Sequence, residues 1–440
     1  LATISQKQHI CARQIWRGAM LHSLDSTRLE FHQDGALIVS STGTIEYFGP
    51  WETAPIQMDS PETPIHQLSP SSLIMPGMVD CHVHLPQTAV AGKPANDLLE
   101  WLSQHIFKEE ARFSDPDYAK RSSDWFFEEL LANGTTTSAV FLTSHPEAVN
   151  IAFESALEKG NRVIMGQNLM DFNSPPELSR PTQALLKETE ALCHQWHQVD
   201  NGRLQYAWIP RFALSCSDEL LSGVGKLRKQ YPDVYLHTHL SEQQGELAAV
   251  AARFTQHADY TAVYEDFNLL GSKSILAHAI HLSDGELSRL KQHDCSLAHC
   301  PSSNFFLKSG RFKWFEILKQ DIRFGLGSDV GAGPELSLFK VMHAAQLQQY
   351  DTWIESSALI YAATLGGAKA LHQDDRIGNF ETGKEADFII LDLNAKAATK
   401  RTLETTPKSG EDWAARGIYL GDDRLVQETY IRGKKVYSID

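Results

Sequence analysis

The feature that most constrains this chain is a series of strand-like runs, each closing in a residue that can bind a metal. The first is Met78-Val79-Asp80-Cys81-His82-Val83-His84, an apolar, β-branched run that ends in two imidazoles. Residues i and i+2 of a strand face the same side, so His82 and His84 converge on one point. His239 and Glu242 follow in His-Thr-His-Leu-Ser-Glu, His278 in Leu-Ala-His-Ala-Ile-His, and Asp329 in Gly-Leu-Gly-Ser-Asp. With 19 histidines in 440 residues, one His-x-His pair arises by chance about once, and His237 with His239 makes a second. Chance does not supply the order: a His pair closes an early strand, single His residues close two later ones, and an Asp closes the last. Three or four neutral imidazoles with one carboxylate form a zinc-type ligand set. Glu242, three residues past His239, is placed to carry a proton. The chain therefore reads as a metal-dependent hydrolytic enzyme.

The same runs predict the architecture. Eight strand candidates lie near 78–84, 135–142, 162–170, 204–212, 233–240, 274–280, 295–299 and 323–328. Amphipathic helical stretches such as Asp117 to Leu131 and Ser283 to His293 separate most of them. Repeated strand–helix alternation predicts parallel β/α units, and eight of them predict a closed (β/α)8 TIM-type barrel of the α/β class. Such a barrel gathers the C-terminal ends of its strands on one face, where His84, His239, His278 and Asp329 fall.

Both chain ends have a different texture. His9-Ile10-Cys11-Ala12 and Ala36-Leu37-Ile38-Val39-Ser40 near the start, and 386–392 and 427–433 near the end, are short β-like runs between turns. We expect residues 1–75 and 371–440 to form the two parts of one small β-sandwich around a barrel at 76–370. The Pro-containing stretch 61–76 reads as the link, and 393–418 shows no clear periodicity.

Composition narrows the partners. The chain has 55 acidic against 40 basic residues, a net charge of −15. That disfavours a nucleic-acid polymer or an anionic membrane surface and suits a small neutral substrate. The six cysteines are scattered with no Cys-x-x-Cys, which predicts free thiols in a reducing compartment. The N-terminal residues show no uninterrupted apolar run and no stretch reaches the length of a membrane span, so a cytoplasmic location is expected.

Within the site, His82, His84, His239 and Asp329 are the expected ligands of a single ion. His278 either ligates as well or orients the bound water. His237 reads as a barrel-interior residue, His281 as packing, and His299 and Cys300 as supporting polar groups. A two-ion site bridged by a modified lysine would need a Lys at the end of strand four. That strand, Tyr206-Ala207-Trp208-Ile209-Pro210-Arg211-Phe212, has none.

These motifs resemble the amidohydrolase superfamily: Pro76-Gly77-Met78-Val79-Asp80-Cys81-His82-Val83-His84, His239-Leu240-Ser241-Glu242, His278 and Gly327-Ser328-Asp329. A second set narrows the likeness to its purine-type aminohydrolases: His84-Leu85-Pro86-Gln87, Leu98-Leu99-Glu100-Trp101-Leu102, Arg211-Phe212-Ala213-Leu214-Ser215-Cys216 and Leu420-Gly421-Asp422-Asp423-Arg424. The resemblance covers essentially the whole chain. It implies one Zn2+ per chain held by His82, His84, His239 and Asp329 with His278 beside it. It also implies guanine as the substrate, contacted by Gln87, Trp101, Arg211 and Phe212, with Glu242 as the proton carrier, and a homodimer. Two departures, Thr88 after Gln87 and Pro334-Glu335 after Asp329, are expected beside the pocket. The competing expectations are a related deaminase acting on a pterin, a triazine, 8-oxoguanine or an adenosine derivative, and a barrel kept as a non-catalytic scaffold.

Overall fold

The computed structural model describes residues 12–56, 63–94, 97–402 and 409–439. Its strands, in chain order, begin with β1 (Gln14–Asp25), β2 (Arg28–Val39), β3 (Ile45–Pro50), β4 (Ile65–Gln67) and β5 (Ser72–Pro76). The central part carries β6 (Met78–His84), β7 (Thr135–Phe141), β8 (Arg162–Gly166), β9 (Asn168–Leu169), β10 (Leu204–Pro210), β11 (Tyr235–Leu240), β12 (Ser274–His278), β13 (Ser296–His299) and β14 (Arg323–Leu326). The chain closes with β15 (Phe388–Asp392), β16 (Val426–Ile431) and β17 (Lys434–Ser438).

Eight central strands run parallel in the order β6-β7-β8-β10-β11-β12-β13-β14, and β9 extends the β8 edge against β10. They coincide with the eight runs expected from the sequence. Both faces of these strands are covered, which is why they read as near-continuous apolar runs rather than alternating ones. The inside is filled by Ala139, Ala207, Ala277 and Ala298 with the branched Ile164, Ile209 and Ile275, around Phe141 and Tyr235. The outer faces carry larger side chains such as Leu236, Leu276 and Trp208, which pack under the helices. At the seam, Asp329 N–H donates to the His82 carbonyl at 2.9 Å and His84 N–H to the Val330 carbonyl at 3.2 Å. The Asp80 carboxylate accepts from Ser328, from its amide at 3.1 Å and from its hydroxyl at 2.5 Å.

The helices start where capping residues allow. The stretch expected at Asp117–Leu131 is a helix over Pro116–Ala132, with the Asp115 carboxylate accepting from the Asp117 amide. It buries Phe126, Phe127, Leu130 and Leu131 against the barrel. Asp284–Gln292 starts with a reciprocal Ser283–Glu286 capping box; removing such a cap costs about 1 kcal/mol.

The chain ends join in one eight-stranded sheet, β17-β16-β15-β5-β1-β2-β3 with β4 on β1. They meet where β5 pairs antiparallel with β15, Pro76 opposite Phe388. Trp16, Phe388 and Tyr430 then pack as a ring cluster with centroids 4.5–5.4 Å apart. The run His9-Ile10-Cys11 lies outside the described residues. The stretch expected as a link, 61–76, contributes β4 and β5 to this sheet, because their backbone pairs with β1 and β15. The 393–418 region, which showed no periodicity, holds the helix Ala397–Thr402 and the start of Gly410–Leu420. The latter buries Trp413, Ala414, Gly417 and Ile418 on one side.

At the N-terminal end of the barrel lies a compact ion network. Arg162, the first residue of β8, pairs with Glu385 at 2.8 Å. Arg203, just before β10, meets Glu385 at 2.6 Å and Asp387 at 3.0 Å. Arg432 reaches Glu385 and Asp200, each at 3.0 Å. These pairs tie the barrel to the loop that leads into β15.

Candidate metal and substrate site

The opposite end of the barrel gathers the residues singled out in the sequence. His82 and His84 close β6, with their Nε2 atoms 3.2 Å apart. His239 Nε2 comes from β11 to 3.2 Å from His84 Nε2. Asp329 Oδ1 lies 3.3 Å from both His82 Nε2 and His84 Nε2. Strand alternation alone would not complete the set. Ala277 points into the barrel, so His278 should point out, but a left-handed backbone at His278 (φ 69°) breaks the alternation. Ser241 (φ 50°) and Asp329 (φ 47°) turn the chain in the same way beside Glu242 and at the end of β14. Left-handed conformations at non-glycine residues persist where surrounding structure holds them, often at functional sites.

Hydrogen bonds fix which ring nitrogens face inward. His239 Nδ1 lies 2.7 Å from the Arg211 carbonyl, which only accepts, so Nδ1 carries the proton and Nε2 is left as a lone pair. His278 Nδ1 is held the same way by Asn304 Oδ1 at 3.0 Å. His82 Nδ1 lies 2.9 Å from His237 Nε2, so the residue expected in the barrel interior buttresses His82 from below. Burial, and then the neighbouring imidazoles, hold His239 well below its usual range; burial also lowers His84, and takes His82 down to about 3. Burial would raise Asp329, but His82 and His84 outweigh it and keep the carboxylate ionised.

Inward-facing lone pairs about 3.2–3.3 Å apart repel one another unless a cation lies between them. A tetrahedron of nitrogen and oxygen donors at about 2.0–2.1 Å from one ion has edges of about 3.3–3.4 Å. Along the edges His82–His84, His84–His239, His82–Asp329 and His84–Asp329 the donors fit such an ion in type and spacing. Cys300, expected only as support, also comes near the His82, His278 and Asp329 donor atoms. Burial pushes its thiol up well above the usual range.

Glu242 sits beside this cluster, its Oε2 3.5 Å from His278 Nε2, which is 3.7 Å from Asp329 Oδ2. Burial pushes the Glu242 carboxyl up to about 7, with His278 opposing and Asp329 reinforcing the rise. Burial would lower His278, but the Glu242 and Asp329 carboxylates outweigh it.

A small cavity opens from the cluster. Its lining includes His84, His239, Glu242, His278 and Asp329 together with Gln87, Trp101, Arg211 and Phe212. Trp101 is held by its indole N–H, which donates to the Lys93 carbonyl at 2.8 Å. Leu98 N–H donates to Gln243 Oε1 at 3.0 Å, and Gln243 Nε2 to the Leu307 carbonyl at 3.1 Å, so the 98–102 segment roofs the cavity. Gly331 closes a wall: a Cβ there would lie 2.8 Å from Gln87 Cβ and 3.0 Å from the Gln87 carbonyl oxygen.

Two expectations are corrected. Thr88 is not in the cavity lining; its hydroxyl turns back to the Leu85 carbonyl at 3.2 Å. Pro334 and Glu335 are exposed and line a separate surface groove with Phe305 and His343, while Ala332 is the residue after Asp329 that reaches the cavity. One buried group was missed altogether. Glu110, from the segment between β6 and β7, accepts from Arg211 Nη1 at 2.8 and 2.7 Å and from Gln87 Nε2 at 3.0 Å.

Known proteins share this frame. A guanine deaminase of Escherichia coli is 38% identical over 417 residues, covering 94% of this chain and 93% of that protein. The E. coli guanine deaminase structure superposes with a TM-score of 0.93 at 36% identity, covering 97% of this chain and all of that one. A guanine deaminase from C. acetobutylicum, solved with guanine bound in its active site, gives 0.89 at 30% identity over 97% of this chain and all of its own. An adenosine deaminase from Xanthomonas campestris with bound zinc gives 0.84 at 25% identity, covering 98% and 94%. The family model described as "Amidohydrolase family" matches residues 73–436. With most of its length inside that match, this chain belongs to the amidohydrolase family.

Proposed function

We propose that this protein is a hydrolase that deaminates guanine, converting guanine and water to xanthine and ammonia. The observation that carries the proposal is the layout of one cavity. The inward imidazoles, Asp329 and Glu242 line it together with Arg211, Gln87, Phe212 and Trp101. Likeness to guanine deaminases over nearly the whole chain supports the same substrate.

His82, His84, His239 and Asp329 would hold one zinc ion per chain, with His278 beside it. When bound, such an ion lowers the pKa of a water from about 15.7 to about 7 and so provides a nucleophile at neutral pH. Asp329 accepts a proton from the attacking water, and His278 keeps that water in line with C2 of the ring. Glu242, with its carboxyl near 7, can carry a proton at physiological pH. It delivers one to the ring nitrogen beside C2, takes up the proton lost by the new C2 hydroxyl as the C=O bond forms, and passes that proton to the amine as the C–N bond breaks; the proton held by Asp329 then restores Glu242. Arg211 donates to the 6-oxo group, Phe212 packs on the ring face, and Trp101 closes the roof.

The proposal extends to a catalytic barrel at 76–370 framed by 1–75 and 371–440, a homodimer and a cytoplasmic location. Among the described residues no helix is long and apolar enough to cross a membrane. Exposed Leu347, Tyr350 and Trp353 offer apolar surface for a second copy. Light scattering reading a single chain mass would remove the dimer. The test of function is ammonia release from guanine by zinc-loaded protein, with adenine, 8-oxoguanine and a pterin in parallel. Selective turnover of guanine is expected; turnover of another ring alone would refute the substrate.

A further inference from the structure

Glu110 is fully buried at the cavity wall, and the mechanism above does not use it. Both of its oxygens accept from Arg211 Nη1, at 2.8 and 2.7 Å, and one also accepts from Gln87 Nε2 at 3.0 Å. A carboxylate paired with a guanidinium only accepts, so the Gln87 amide nitrogen must face it. The amide oxygen is thereby turned away from Glu110 and accepts no hydrogen bond from the described residues. The other N–H groups of Arg211 likewise donate to none of them. Both side chains line the cavity. Gly331 packs against the glutamine: a Cβ there would lie 2.8 Å from Gln87 Cβ and 3.2 Å from Gln87 Oε1, so the amide oxygen sits beside this glycine.

We propose that Glu110 is a positioning residue that fixes the polarity of the Gln87 amide, so that the cavity presents a donor beside an acceptor and selects a lactam edge over an amidine edge. A 6-oxo purine offers C=O next to N1–H and matches both groups. A 6-amino purine offers N–H next to a bare N1 and mismatches both. This rests on the cavity being the purine site. Sites built to hydrogen-bond their substrate gain discrimination because the wrong partner leaves buried polar groups unpaired.

The test compares wild type, Glu110→Gln and Glu110→Asp, all zinc-loaded. Calorimetric Kd values are measured for hypoxanthine (6-oxo) and adenine (6-amino), and kcat and KM for guanine and 2,6-diaminopurine. Glutamine at 110 can turn either amide atom toward Gln87, so the oxo-over-amino preference should shrink by about tenfold or more, mainly through Kd and KM. Glu110→Asp keeps the charge opposite Arg211 but stops one methylene short of Gln87. It should lose preference at an unchanged melting temperature, which separates the effect from misfolding. An unchanged ratio, or equal losses for oxo and amino ligands in both variants, would overturn the inference. If wild type binds hypoxanthine over adenine yet releases no ammonia from guanine, the functional proposal fails while the Kd ratios still decide the role of Glu110.

Discussion

The two ends of the barrel treat buried charge in opposite ways. At the N-terminal end, Arg162, Arg203 and Arg432 find their partners in Glu385, Asp387 and Asp200. At the C-terminal end, His82, His84, His239 and Asp329 crowd three imidazoles and a carboxylate together, the donor set of a cation site. The first end completes itself; the second is complete only with a visitor. Barrels of this class place function on the C-terminal face and stability on the other, and here the sign and pairing of the charges show the division directly.

That contrast can be broken by experiment. Stripping the metal with a chelator should abolish turnover, and re-added zinc at about 100-fold over its Kd should raise stability by about 2.7 kcal/mol. Activity that survives verified metal loss would erase the distinction between the two ends. Glu242→Gln should bind zinc and substrate but turn over about 10²–10⁴-fold more slowly; near-wild-type rates would remove its proton-carrying role. Arg203→Met should cost about 3–5 kcal/mol in denaturant titrations, since it strands buried carboxylates, while kcat of the folded fraction stays unchanged. A fall in kcat matching the loss of stability would show that the two ends are coupled.

A smaller effect concerns acid. Burial would raise Glu385, but Arg203, Arg162 and Arg432 outweigh it and hold the carboxyl well below its ordinary 4.5. A depressed pKa stabilises the fold above the unfolded value, and that contribution is lost as pH falls through the folded one. Melting temperature should therefore decline below about pH 4.5, and less steeply in Arg203→Met. Equal slopes in the two proteins would assign the acid sensitivity to other groups.

What could be read in the sequence depended on whether a residue's surroundings are local. The barrel strands were legible because each is a short apolar run that ends in a distinctive side chain, as Met78–His84 does. The inward turn of His278 was not, because it rests on a left-handed backbone that no pattern announces. Glu110 was invisible for another reason. It stands beside Glu109, which pairs with Arg112 and Tyr118 instead, and nothing within Phe107-Lys108-Glu109-Glu110 says which carboxylate reaches Arg211. The helix Gly410–Leu420 was masked by Gly417 and by Arg416 next to it, although Trp413, Ala414, Gly417 and Ile418 keep helical spacing.

The seam has a consequence for timing. Asp80 and Ser328 are 248 residues apart in the chain, yet their hydrogen bonds bring the first and last barrel strands together, and ligands stand on both sides of that join. A nascent chain that has emerged only as far as β13 has its imidazoles but not Asp329. Closing contacts of such separation is slow, because the loop entropy must be met before the contact forms. Complete assembly of the candidate metal site thus awaits the last strand, and a chain that holds the full donor set is one whose barrel has already shut.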